Sequence, residues 1–179
     1  MALTNFTIDA AHSHVNFSVR HLVVAKVRGR FTKFSGAFAF DPAAPEQSHV
    51  AVSIDVNSID TSDAQRDGHL KSPDFFDAEK HGEITFKSKS VSGKGSDFKV
   101  VGDLSIHGVT KEVTLDVEYA GISKDPWGNE KAGFEAKTTI NRKDFGLVWN
   151  AVLETGGVAV GEDVKIELDV EALKDKGAA

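Results

Sequence analysis

The chain has 179 residues, with 27 acidic against 21 basic side chains, a net charge of −6 and no cysteine. That length suits one domain over residues 1–179 with a sizeable core. The missing cysteines exclude disulfide frameworks, thiolate metal sites and cysteine nucleophiles, and the acidic balance excludes a general affinity for nucleic acid or anionic membrane surfaces. No stretch approaches the roughly 20 apolar residues that a membrane-crossing helix needs, so the chain is not expected to span a membrane. Twelve Phe against one Tyr and two Trp point to a dry interior.

The opening residues carry neither a basic n-region nor an apolar h-region, and Arg20 is the first arginine or lysine. The chain as written is therefore expected in the cytoplasm, or in the periplasm if a signal segment was removed. Val15, Phe17 and Val19 then alternate with Asn16, Ser18 and Arg20, the pattern of a strand with one face on a core and one in water. After Gly29 and Phe31 the apolar parity shifts to Phe34, Gly36, Phe38 and Phe40, which predicts a bulge near Thr32 or Lys33. Residues 41–47, with Pro42 and Pro45, form a turn before the strand of Val50, Val52, Ile54 and Val56.

The alternation stops between Ser58 and Phe76, where charged residues crowd together. Ser62, followed three residues later by Gln65, reads as a capping box. Gly68 and Pro73 limit the resulting helical insert, near residues 62–71, to about two turns. Arg66, Asp67 and His69 thus fall on a short helix just before Phe75 and Phe76. Two readings stand side by side: a surface pair of Arg66 with Asp67 above two core phenylalanines, and a ligand entrance.

Ile84, Phe86 and Ser88 form the next strand, and residues 92–96 a flexible hairpin loop. Phe98, Val100, Gly102, Leu104 and Ile106 follow and should pair antiparallel with it. Parity then favours a four-residue loop, Gly108 to Lys111, because a two-residue turn at His107 and Gly108 would put Lys111 opposite Leu104 on the apolar face. Val113, Leu115, Val117 and Tyr119 lead to a turn at residues 125–129. Then come Phe134, Ala136, Thr138 and Ile140, the segment of Phe145, Leu147 and Trp149, and finally Val164, Ile166, Leu168 and Val170. Residues 174–179 read as a frayed tail.

About eight antiparallel strands, nearly all with one apolar face, remove their edges best by closing into a barrel, although alternation alone also permits a two-sheet sandwich. The fold class is all-β: a single antiparallel eight-stranded barrel with a short helical insert. Its interior is wide enough either to be filled by side chains or to hold one small ligand.

Several segments together resemble the YceI-like polyisoprenoid-binding proteins, in that family's order over nearly the whole chain. They are Ile8-Asp9, His12-Ser13, Val15, Phe17 and His21; Gly29, Phe31 and Phe34-Ser35-Gly36; Ser58-Ile59-Asp60-Thr61; Arg66-Asp67 and His69-Leu70; Asp74-Phe75-Phe76; Ile84-Thr85-Phe86; Gly102-Asp103-Leu104 with Gly108-Val109-Thr110-Lys111; and Phe145-Gly146. Gly82 stands where that family commonly has proline. The resemblance implies a lipocalin-like barrel that holds a polyprenyl or quinone tail in an apolar lumen, so the expected partner is an isoprenoid lipid or quinone. A homodimer is left open.

The inward parity set, with Phe75 and Phe76 of the insert, supplies the expected lumen wall: Val15, Phe17, Val19, Phe38, Phe40, Val52, Ile54, Phe75, Phe76, Ile84, Phe86, Leu104, Ile106, Val113, Leu115, Phe145, Leu147 and Trp149. Each of these alone is also ordinary core. Arg66 and His69 could donate to a phosphate or quinone head group, aided by the positive end of the short helix. Seven histidines include His12 and His14 on one face of an extended segment, with His69, His81 and His107 elsewhere. No metal-ligand spacing is present, so hydrogen bonding at the barrel rim is favoured, and neither metal nor cofactor is expected. There is no Gly-x-Ser-x-Gly elbow and no dinucleotide fingerprint, which disfavours an enzyme. A hydrolytic or metal-dependent site at the barrel mouth, or a stress-response barrel packed solid, are the alternatives.

Overall fold

The computed structural model of the chain describes residues 3–22, 24–151, 153 and 158–176. Its strands are β1 (Thr4–Ile8), β2 (His14–His21), β3 (Ala25–Phe31), β4 (Phe34–Phe40), β5 (His49–Asp55), β6 (Ile59–Asp60), β7 (Glu83–Lys94), β8 (Asp97–Ile106), β9 (Val109–Lys124), β10 (Glu130–Asn141) and β11 (Val160–Lys174), with one helix, α1 (Ala64–Lys71), between β6 and β7. All pairings are antiparallel. The neighbour order β1-β4-β5-β7-β8-β9-β10-β11 closes on itself where β11 pairs with β1, Phe6 lying opposite Lys174.

The remaining three strands extend staves already present. β2 continues β1 alongside β11, with Val15 opposite Leu168; β3 precedes β4 alongside β2; and β6 follows β5 alongside β3. Eight staves result, three of them broken once. The breaks meet at a shared corner, where the Thr32 amide donates to the Ser58 carbonyl (3.2 Å) and the Asp55 amide to the Lys33 carbonyl (2.9 Å). The expected bulge at Thr32 or Lys33 is therefore a full interruption of the ladder. On its far side the stave exchanges its neighbours β2 and β6 for β1 and β5.

Three local expectations need correction. The β8–β9 connection is the two-residue turn at His107 and Gly108, with φ of 56° and 74°, pairing Ile106 with Val109 and Leu104 with Lys111. Such left-handed pairs match the twist of the flanking strands. Lys111 is tolerated on the inward parity because this position is exposed at the barrel rim, where its ammonium reaches water. The cap of α1 is Asp63, whose carboxylate accepts from the Gln65 and Arg66 amides at 3.1 Å each, while Ser62 takes φ 63° just ahead of it. Gly68 lies within the helix. The C-terminal segment is held beyond the expected start of fraying: the Asp175 amide donates to the Asn5 carbonyl (2.9 Å) and its carboxylate accepts from the Thr7 hydroxyl (2.7 Å). Residues 177–179 lie outside the described residues.

Two apolar clusters fill the ends of the barrel. Toward α1, Val15, Phe31, Val56, Ile59, Phe75, Ile84 and Ile106 pack together. At the opposite end Phe6, Phe40, Phe98, Ala132 and Ala172 do so, with Phe40 5.3 Å from Phe98 and from Phe134 and 5.0 Å from Tyr119 in edge-on contacts. Edge-on aromatic packing holds these rings together at this end.

Candidate functional site

Alternate residues of the staves point into one lumen, because successive side chains on a strand leave opposite faces. Along β8, Phe98, Val100, Leu104 and Ile106 all reach it, as do Val164, Ile166, Leu168 and Val170 of β11. The lumen has a volume of about 280 Å³, and the wall surface that it exposes is wholly apolar. That volume lies at the lower edge of the range of about 300–1,000 Å³ usual for small-molecule pockets. From Phe98 to Ile106 the wall spans eight residue steps, roughly 26 Å of strand at ~3.3 Å each, or about 20 Å along the axis at a usual tilt near 40°.

The expected wall residues Val15, Phe17, Val19, Phe38, Phe40, Val52, Ile54, Phe75, Phe76, Ile84, Phe86, Leu104, Ile106, Val113, Leu115 and Leu147 all line this space. Phe145 does not: it is 1% exposed and buried in the cluster behind the wall. Trp149 stands outside as well, with its ring centroid 4.8 Å from His69 in an edge-on contact and 5.4 Å from Phe75 in a tilted one. Phe75 and Phe76 are positioned by backbone bonds to the end of α1, the Phe76 amide donating to the Leu70 carbonyl (3.0 Å) and the Phe75 amide to that of Ser72 (3.0 Å). Leu70, Phe31, Phe34 and Val50 join the wall without having been singled out, though their apolar character and strand parity marked several of them.

Arg66 and His69 are engaged elsewhere. The Arg66 guanidinium donates from Nε to Thr61 Oγ1 (2.8 Å) and from Nη2 to the Thr61 carbonyl (2.7 Å). Asp67 accepts from the amide of the same threonine (2.9 Å), so the two charged residues clamp α1 to β6 through Thr61 and do not pair with each other. His69 Nε2 lies 2.9 Å from Asp74 Oδ2. Neither side chain touches the lumen, and the head-group contact expected of them has no support in this geometry.

The residue that sequence reasoning missed is Arg142. It is 3% exposed yet lies at the lumen wall. Its guanidinium donates to four carbonyls: Gly161 from Nε (2.7 Å), Leu147 and Trp149 from Nη1 (2.6 and 3.0 Å) and Val160 from Nη2 (3.2 Å). No carboxylate lies within ion-pair distance of it among the described residues, and burial lowers its pKa. Those carbonyls replace water around the charge and fasten residues 147–149 and 160–161 to the end of β10. The signal was present, since Arg142 continues the inward parity of Ala136, Thr138 and Ile140.

The histidines do not converge as a single group. His12 Nδ1 sits 2.8 Å from Asp9 Oδ2, and that hydrogen bond, the largest influence, holds the Asp9 carboxyl below its usual pKa. His14 is exposed, on the β2 parity opposite to the buried Val15. Two trios could hold an ion, Asp9 with His12 and Glu171, and Asp77 with His81 and His107.

Comparison with known proteins agrees with this architecture. The sequence profile of the YceI-like domain matches residues 6–172. A UPF0312 protein of Staphylococcus aureus strain MSSA476 is 45% identical over 170 residues, covering 94% of this chain and 97% of that one. Among solved structures, Burkholderia cenocepacia BcnA superposes with a TM-score of 0.81 at 27% identity, over 92% of this chain and 98% of its own. A polyisoprenoid binding domain from Saccharophagus degradans gives a TM-score of 0.71 over 97% and 100% of the two chains; at 17% identity that is a likeness of fold.

Proposed function

Because the chain belongs to the YceI-like family, we propose that its barrel binds the tail of an isoprenoid lipid, of polyprenyl or quinone type, and sequesters or carries it without chemical change. The observation that supports this reading is the elongated lumen whose exposed wall is wholly apolar. An isoprenoid tail offers no hydrogen bonds, so its affinity comes from apolar area withdrawn from water, about 25 cal/mol per Å². A lumen without exposed polar atoms suits a ligand that needs none. The solved domain of the same fold from Saccharophagus degradans is described as polyisoprenoid binding, which agrees with this choice.

The size of the cavity narrows the proposal. At about 280 Å³ the space favours a short tail, or one that displaces wall side chains such as Phe76 and Leu70 on entry. Native mass spectrometry of gently purified protein, followed by incubation with a short prenol, tests the reading. The expected result is a lipid adduct or stoichiometric uptake of the prenol. Protein that is apo as purified and takes up none of it would contradict the proposal.

A further inference from the structure

A constellation outside the lumen wall lies at the α1 end of the barrel. Asp77 and His81 are four residues apart on a single turn, where the Asp77 carbonyl accepts from the Lys80 amide (3.0 Å) and the His81 amide (2.9 Å). Asp77, at φ 49°, starts this turn, which brings its carboxylate within reach of the His81 ring. His107 reaches them from the β8–β9 turn, its ring centroid 4.9 Å from that of His81. One donor atom from each of the three lies within 4.8 Å of the other two, and all three residues are half-buried.

The surroundings prepare these donors and leave them unused. Among the described residues the Asp77 carboxylate has neither a hydrogen-bond donor nor a basic side chain within ion-pair distance, and the His81 ring has no hydrogen-bond partner. His107 Nδ1 lies 3.3 Å from the Phe145 carbonyl oxygen, an acceptor that holds the proton on Nδ1 and leaves Nε2 as a bare lone pair. Gly108 permits the approach of His81, since a Cβ there would stand 2.8 Å from His81 Cε1.

We propose that Asp77, His81 and His107 form a binding site for a borderline divalent transition-metal ion of the Zn²⁺ class. Two imidazole nitrogens and one carboxylate oxygen are a donor set that such ions take, whereas Ca²⁺ and Mg²⁺ prefer oxygen throughout. Bonds of about 2.0–2.1 Å put tetrahedral donors roughly 3.4 Å apart, so the trio needs to close by at most ~1.4 Å, within reach of side-chain rotations. Water takes the fourth position. The ion fastens the segment carrying Phe75 and Phe76 to the β8–β9 turn and so stiffens one end of the barrel. This inference makes no use of a lipid in the lumen.

Titration of the metal-free full-length chain with ZnCl₂ by calorimetry near neutral pH, with Co²⁺ absorption as a geometric probe, tests it. The wild type should bind one equivalent, give the visible bands of tetrahedral Co²⁺, and show Zn²⁺-induced shifts of the His81 and His107 ring resonances. His81→Gln and Asp77→Asn should each weaken Zn²⁺ binding at least tenfold with unchanged circular dichroism. His12→Gln, in the other trio, should leave it unaltered. No stoichiometric ion in the wild type, wild-type affinity in His81→Gln, or loss of binding on His12→Gln alone would each overturn the site.

Discussion

Prenols of increasing length should bind with affinity that climbs steeply and then stops. The wall from Phe98 to Ile106 is about 20 Å long on the barrel axis. An extended isoprene unit, with carbon–carbon bonds of about 1.5 Å, advances ~5 Å, so roughly four units span that length, the longer tails displacing wall side chains such as Phe76 and Leu70 because the resting space is about 280 Å³. Each unit adds five carbons. At the efficiency usual for drug-sized ligands, ~0.3 kcal/mol per heavy atom, a unit contributes about 1.5 kcal/mol, and full transfer at ~0.8 kcal/mol per carbon would give about 4. Dissociation constants should therefore fall at least tenfold per unit from two units to four and stay level beyond.

Leu115 lies on the wall opposite Val100, about a quarter of that span in from Phe98. Leu115→Trp should block the Phe98 end, shorten the usable length by about a quarter and move the plateau to about three units, at a stability cost of about 1–3 kcal/mol for overpacking. Trp149, packed against Phe75 at the α1 end, supplies an intrinsic fluorescence signal for the titrations. Equal affinity for two-unit and four-unit prenols, or a plateau that Leu115→Trp does not move, would refute the lumen as the binding site.

Arg142→Met should destabilise the fold by about 3 kcal/mol in urea unfolding, because four carbonyls lose their buried donor. Arg142→Lys should not restore it, since an ammonium cannot present the fork that these carbonyls match. Gly102→Ala should cost about 1–3 kcal/mol: its Cβ would stand 2.5 Å from the Lys87 carbonyl oxygen and 2.6 Å from the Phe86 ring, and the carbonyl belongs to a paired strand that cannot retreat. Asp9 has a folded-state pKa below its ordinary value, through its hydrogen bond with His12. Its stabilisation is therefore complete above about pH 4 and fades as pH falls through the lowered value, so the melting temperatures of wild type and Asp9→Asn should differ at pH ~5 and converge near pH ~2.

Much of the lumen was legible along the chain. Strand geometry is local, and alternation at Phe98, Val100, Leu104 and Ile106 states which side chains share a face before any partner is known. Likewise Pro73 and the polar run before it marked the short helix, although the cap fell on Asp63 instead of Ser62. Parity failed where its premise lapsed. At Lys111 the inward face has already opened to water, so a charged residue there carries no penalty, and the two-residue turn prevails over the longer loop.

What the chain order alone cannot supply is which distant segments meet. Four carbonyls from residues 147–161 converge on Arg142 only after β10 and β11 are in register. Arg66 and His69, expected to donate to a ligand head group, are occupied by Thr61 and Asp74. The Asp77, His81 and His107 trio exists because the β8–β9 turn folds back over the segment leading into β7. Sequence thus determined the facing of each side chain, a property of one backbone; closure, register and the three shared breaks decided what each face meets, because contact is a property of two.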